Sequence, residues 1–398
     1  MVLFGVTFLD VVLVLVLIGY LANGARAGFV VSLGGILGFL AGGAVAFFAV
    51  PLVSQALADS GWRAAGVVIT AVLLMAVGNG AGSALGHRVR RGIRSKGAGG
   101  VDRVLGGLVS LIATALIISM TAFTVSSIGI PWVSQQIAGS KVIRAIDDLT
   151  PGPVKEQAAA LRAFVFADGL PKVIEGIGGP AEPVPVPDAA ADTPELRAAA
   201  QSVLRITGTA YQCGQNQTGS GFVVAPDRVM TNAHVVAGVA EPVVELQDGG
   251  GARTGRVVYF DAAQDIAVIA VEGLQVPQLP LTRTSPAGTA AAFAGYPLGG
   301  PFQMRPAVIQ GTTTVLAPDI YGGNEEAKRV YQLSGNVQQG NSGGPLLTKE
   351  GRITGAIFAK SESTAGVGYA ITMEEIAPVV ERAPSLAQPV QPGVCTRK

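Results

Sequence analysis

Histidine and cysteine are nearly absent. Of 398 residues only His87 and His234 are histidine, and only Cys213 and Cys395 are cysteine. That scarcity excludes metal sites of the usual Cys/His spacing. Charge is sparse as well: charged residues make up 14% of the chain, and their balance leaves a net charge of +1. Such a balance points neither to nucleic acid nor to a strongly acidic partner. A hydrophobic fraction of 49% is too high for one soluble globule, so part of the chain belongs in a bilayer.

The apolar excess is concentrated at the start. Four runs, 2–21, 28–50, 64–86 and 104–128, each approach the length of a membrane-spanning helix. Four in succession read as a polytopic anchor rather than a signal peptide. Between the third and fourth runs Arg88, Arg90, Arg91, Arg94, Lys96 and Arg103 face one acid, Asp102. This loop is therefore expected in the cytoplasm, and an even number of spans puts all that follows outside the cytoplasmic membrane. Gly34, Gly38 and Gly42, then Gly78, Gly82 and Gly86, recur every four residues, a pattern that lets helix backbones meet in lipid. Asp10 is expected mid-span, a functional candidate by its cost there, with Asn79 as a possible partner. The glycine and hydropathy pattern resembles the membrane domain of the colicin V production protein family.

A connector follows. Helical patterns over 133–149 and 154–168 suit either the outer membrane surface or the spacing of two domains. The alternating prolines Pro183, Pro185 and Pro187 then favour a stiff extended segment and mark a domain boundary. Thr193 before Pro194 resembles a helix N-cap. The expected organisation is a four-span anchor over 1–130, a connector over 131–201 and a soluble domain over 202–398.

From 202 onward, short β-branched and apolar runs alternate with Gly, Pro and Asp about every ten positions. This is the texture of an all-β barrel or sandwich rather than of βαβ units, and its length suits two barrels in tandem.

Gln338-Gln339-Gly340-Asn341-Ser342-Gly343-Gly344-Pro345 sets a serine among three glycines. A surface turn is one reading. An exposed nucleophile is the other, with the Gly340 and Ser342 amides converging on a developing oxyanion. A serine hydroxyl needs a neutral imidazole to take its proton and a carboxylate behind that imidazole. His234 is the one histidine beyond the spans, and the order is His234, Asp265, Ser342. No histidine follows Ser342, which excludes the order of an α/β-hydrolase. Asp261 is a rival acid, but Asp265 leads directly into an apolar strand.

Thr231-Asn232-Ala233-His234-Val235-Val236, Asp265-Ile266-Ala267-Val268 and Gly340-Asn341-Ser342-Gly343-Gly344-Pro345 resemble the catalytic blocks of trypsin-like serine proteases of the bacterial HtrA type. With four spans in front, the chain is similar to the membrane-anchored periplasmic branch linked to acid resistance in mycobacteria. The resemblance implies a chymotrypsin-like double β-barrel, with His234 as base, Asp265 as its orienter, Ser342 as nucleophile and the amides of Gly340 and Ser342 as oxyanion hole. It also implies peptide substrates, among them cell-envelope proteins such as cell-wall hydrolases under acid or oxidative stress, and requires no cofactor or metal. A primary specificity pocket would be walled by 358–360 and 366–368.

Two departures stand out. No PDZ domain is expected after a short helix near 373–382. Asn341 replaces the aspartate that digestive proteases pair with a freed N-terminus, so that ion pair is not expected, although self-cleavage within 178–201 is open. Cys213 and Cys395 both fall outside the cytoplasm, where one disulfide is possible and two free thiols are the alternative. A catalytically silent membrane scaffold remains the competing function. Acid resistance sits in tension with the mechanism, because imidazole ordinarily protonates near pH ~6.5. Acid is therefore expected to act through another step, such as opening or self-cleavage.

Overall fold

The computed structural model describes every residue except 1, 4–5, 57–62, 93–98, 127–129, 156, 158–171, 174–181, 188–190, 214, 248–249, 324, 362–363 and 397–398. Arg94, Lys96, most of the helix expected over 154–168, and the stretch 178–181 thus lie outside the described residues. Contacts divide the chain into two units, Met1–Ser119 and Met120–Lys398.

In the first unit, two short strands, β1 (Val2–Leu3) and β2 (Val6–Thr7), precede the helices α1 (Phe8–Ala27), α2 (Phe29–Ala56), α3 (Arg63–Gly92) and α4 (Gly99–Ser126). Four helices here are long and apolar enough to cross a membrane. Their outward faces carry Leu15, Phe48, Leu73 and Ile112, a surface suited to lipid rather than water. The first span begins at Phe8, later than hydropathy implies, because Thr7 caps it. The Thr7 hydroxyl accepts from the Asp10 amide at 3.1 Å, and the Asp10 carboxylate accepts from the Thr7 amide at 2.9 Å. Asp10 is therefore a capping residue in the first turn, not a mid-span charge. Asn79 accepts instead from Ser83 on its own helix.

The glycine stripes of α2 and α3 face one another. A Cβ on Gly38 would strike the Gly78 carbonyl, and one on Gly82 would strike the Gly34 carbonyl. The stripes pack the bundle internally, as the spacing implies. At one end, Asp102 accepts from the Phe29 amide and pairs with Arg90 at 2.8 Å, while Arg90 also donates to the Ala27 carbonyl. The turn between α1 and α2 is thereby tied to α3 and α4.

In the second unit, α5 (Pro131–Gly139), α6 (Lys141–Leu149), β3 (Lys172–Val173) and α7 (Pro194–Ala200) precede the strands. The first sheet comprises β4 (Val203–Ala210), β5 (Gln215–Ala225), β6 (Arg228–Thr231), β7 (Val243–Glu245), β8 (Ala252–Thr254), β9 (Arg256–Asp261) and β10 (Ile266–Ala270), in the order β8-β7-β4-β5-β6-β10-β9. The second contains β11 (Ala290–Gly295), β12 (Gln303–Pro318), β13 (Glu325–Ser334), β14 (Pro345–Thr348), β15 (Ile353–Ser361) and β16 (Val367–Thr372), in the order β14-β11-β12-β13-β16-β15-β3. Because β14 also pairs with β15, these six strands close into a barrel.

Strand β10 shows why the runs are so apolar. Ala267 and Ile269 enter the core of the first barrel, whereas Ile266 and Val268 join a second cluster shared with Val330 and Phe358 of the other barrel. Period-two alternation thus feeds two cores at once. Each fully buried Val or Ile contributes about 1.5–3 kcal/mol. Helix α9 (Met373–Arg382) adds Ile376 and Val379 to the shared cluster.

The tail after α9 runs onto the first barrel, where the Val390 amide donates to Val257 and the Gly238 amide donates to Pro392. Cys213 and Cys395 form a disulfide across a separation of 182 residues. Closing so long a loop is worth about 2–5 kcal/mol.

The proline segment 182–187 is extended, as its composition requires, but it is docked rather than free. The Val184 amide donates to Ser334 Oγ at 2.8 Å, and Gln310 donates to the Glu182 carbonyl at 2.7 Å. Prolines remove the intervening donors, and the Val184 amide and the Glu182 carbonyl are the backbone groups that tie the segment to the sheet. Upstream, β3 lies parallel to β15 at Lys360 and Ser361.

Candidate active site

Strand register brings the first two site residues together. Strands β6 and β10 are antiparallel, with Thr231 opposite Ala267, so residues just after one meet residues just before the other. Asn232 then takes the N-cap position, without a side-chain cap bond, of the single helical turn α8 (Ala233–Val236), which carries His234. The Asn232 amide group donates to the Asp265 carbonyl at 2.8 Å. Asp265 accepts twice from one residue: from the His234 backbone N–H at 2.9 Å and from its Nδ1–H at 2.7 Å. That second bond fixes the imidazole tautomer and leaves Nε2 as the proton acceptor. Asp265 is 2% exposed and adopts a left-handed φ of 58°, a conformation held by these three bonds.

The rival acid is occupied elsewhere. Asp261 accepts from the amides of Ala263 and Gln264 and from the Tyr259 hydroxyl, closing the turn that presents Asp265.

The serine turn is held by the protein's own backbone. Gly340 and Gly343 have φ of 88° and 78°. A Cβ on Gly340 would strike the Tyr296 carbonyl, and one on Gly343 the Ser220 carbonyl and the Thr231 hydroxyl. Glycine here serves close approach within the fold as well as access for a substrate. Asn341 is 1% exposed, and its Oδ1 accepts from the Gln338 amide at 2.9 Å. A neutral local bond thus braces the turn where digestive proteases use an ion pair. The Ser342 carbonyl accepts from the Ser220 amide at 2.8 Å. Among the described residues, the amides of Gly340 and Ser342 donate to no other group, and Ser342 Oγ is not hydrogen-bonded to the imidazole. Bonds of the latter kind commonly tighten only when substrate arrives.

Three residues of the site carried no sequence motif of their own. Ser220 joins the serine turn to its neighbours. Arg205, paired with Glu245, donates to the Gly299 carbonyl and so supports the loop behind Gly340. Lys328, 2% exposed, points its ammonium at the Phe358 ring, 5.9 Å from its centroid. Burial pushes this ammonium below the ordinary lysine range, while Asp265, Asp261 and Asp319 oppose that shift. Lys328 lies in the charged first half of β13, beside Glu325, Glu326 and Arg329, so nothing in the sequence marked it for burial. The expected pocket walls lie side by side, with Lys360 opposite Gly368 and Ala359 opposite Tyr369.

Comparison with known proteins agrees with this architecture. The trypsin-like peptidase domain model matches residues 219–355, and the colicin V production protein model matches 9–151. Serine protease Rv3671c of Mycobacterium tuberculosis (strain ATCC 25618 / H37Rv) is 35% identical over 316 residues, covering 78% of this chain and 79% of its own. The putative serine protease HhoB of Synechocystis is 33% identical over 170 residues, 41% of this chain and 39% of its own. The crystal structure of the active form of the Rv3671c protease superposes with a TM-score of 0.52 at 34% identity, covering 58% of this chain and all of that one. Together with the membrane-length helices, the colicin V match makes this a multi-pass membrane protein. The chain belongs to the trypsin-like serine proteases, with a colicin V production match ahead of its peptidase domain, and is a serine endopeptidase.

Proposed function

We propose that this is a membrane-anchored endopeptidase that cleaves cell-envelope proteins outside the cytoplasmic membrane, with His234, Asp265 and Ser342 as its triad. The observation that carries the reading is Asp265 gripping His234 at both backbone and ring. Ser342 Oγ attacks the peptide carbonyl as its proton passes to His234 Nε2. The oxyanion that forms accepts from the Gly340 and Ser342 amides. The imidazolium, steadied by Asp265, then gives its proton to the leaving amine, and the acyl group stays on Ser342. Water repeats the cycle in reverse order of bonds, releasing the carboxylic acid and restoring Ser342.

The work is divided among an anchor over 1–130, a connector over 131–201 and the catalytic domain over 202–398. The basic residues before α4 support a cytoplasmic loop there and a periplasmic peptidase. Cell-wall hydrolases under acid or oxidative stress are the substrate class, and self-cleavage in the connector is a means of release.

Ser342→Ala is expected to abolish fluorophosphonate labelling and peptide hydrolysis while leaving the melting temperature unchanged. Undiminished hydrolysis in that variant would refute the nucleophile. Protease accessibility of intact spheroplasts tests the orientation, since digestion of the peptidase unit only after membrane rupture would place it inside.

A further inference from the structure

Ser220 is fully buried, and every polar group it has is spent on the catalytic region. Its amide donates to the Ser342 carbonyl at 2.8 Å. Its carbonyl accepts from the Thr231 hydroxyl at 2.7 Å, three residues before His234. Its own hydroxyl donates to the Gly340 carbonyl at 2.6 Å and accepts from the Tyr296 amide at 3.0 Å. One side chain thus joins the serine turn to the loop that begins at Tyr296.

That loop holds the neighbouring peptide. The Leu298 amide donates to the Gln339 carbonyl, with Leu298 in a left-handed φ of 56°. In a trans peptide the N–H points opposite to the C=O. Fixing the Gln339 carbonyl on Leu298 therefore turns the Gly340 N–H away from the loop. Fixing the next carbonyl, that of Gly340, on Ser220 Oγ stops the glycine from rotating between its two peptides. Glycine alone would not resist such rotation, because both signs of φ are open to it. The Ser220 hydroxyl touches both sides of this arrangement: Gly340 itself and the start of the loop that grips Gln339.

We propose that Ser220 is a positioning residue for oxyanion binding, holding the Gly340 amide in its donating orientation through the paired bonds to Gly340 and Tyr296. The proposal rests on the reading of Ser342 as nucleophile. Ser220 does not touch substrate and moves no proton in the reaction. Its removal should weaken only those states in which a negatively charged oxygen occupies the site.

The test compares wild type, Ser220→Ala and Ser342→Ala in the full chain, purified in detergent, with two peptide ligands of one sequence. A peptidyl aldehyde forms a tetrahedral adduct whose oxygen seeks the oxyanion site, whereas a reduced-amide peptide has no carbonyl oxygen at the scissile position. Ser220→Ala is expected to lower kcat about 10–100-fold with KM and the acid limb of the pH profile unmoved. Aldehyde affinity should fall by a similar factor, and reduced-amide affinity should not change. Unchanged kcat, or equal loss for both ligands, would overturn the proposal, the latter because it marks a general structural role. Should Ser220→Ala fail to fold, Ser220→Cys keeps the shape with a weaker donor and is judged by the same criterion. Aldehyde-selective loss in it supports the proposal, and any other pattern overturns it. A Ser342→Ala variant that still hydrolyses peptide would instead remove the nucleophile reading beneath, so the two failures are distinguishable.

Discussion

In the membrane unit, Gly34, Gly38, Gly78 and Gly82 sit in regular helix, and their value is the missing side chain: each lies against the opposite backbone. In the peptidase unit, Gly340 and Gly343 add a left-handed φ to the same close approach. The difference follows from the surroundings. Lipid gives helices no hydrophobic reason to associate, so contact depends on small residues that let dispersion act at short range. A water-facing barrel has its cohesion from burial, and glycine is left to shape one turn.

Substitutions at matched positions can break that comparison. The largest effect is expected at Gly340→Ala. The methyl meets the Tyr296 carbonyl in a conformation that costs a side-chain-bearing residue about 1–2 kcal/mol. Steady-state kinetics should show kcat reduced about 100-fold or more, and a near-normal kcat would mean that the turn is not specified by close approach. Gly38→Val should instead separate α2 from α3 and lower helix-bundle stability by about 1–3 kcal/mol, read by thermal unfolding in detergent. Its fluorophosphonate labelling rate should match wild type. A smaller loss, about 0.5–1 kcal/mol, is expected for Asp10→Asn, which weakens a helix cap. If that variant abolished a proton-linked activity while leaving stability intact, Asp10 would return as a functional charge.

Lys328 gives the smallest effect and a defined sign. Burial lowers its ammonium in the folded chain. Between that lowered value and the ordinary range near ~10.4, the unfolded chain binds a proton that the folded chain has shed. Stability attributable to this residue is therefore least below that lowered value and rises with pH through the window. Measured against Lys328→Met, the unfolding midpoint of wild type should gain as pH is raised from 7 towards about 10. A difference that stayed flat would show that the lysine keeps its ordinary affinity for the proton.

Much of the architecture was legible because it depends on short-range pattern. Span lengths, the glycine stripes, the β texture and the motifs around His234, Asp265 and Ser342 can each be read from one contiguous stretch of chain. Asp10 was misplaced because hydropathy averages over a window and is blind to one capping threonine. Connector residues 182–187 were read as a free boundary because composition reports stiffness, whereas docking depends on Ser334 and Gln310, each more than a hundred positions away.

The sequence by itself determined the membrane anchor, the class of barrel and the three residue types needed for acyl transfer, since hydropathy, turn chemistry and motif spacing are local properties. Tertiary structure alone decided that Asp265 grips His234 at both backbone and ring, that Asn341 braces its own turn, and that Ser220 and Lys328 stand behind the site. Those outcomes follow from strand register, which sets residues 31 and 120 positions apart within hydrogen-bonding distance, a relation that no local pattern encodes.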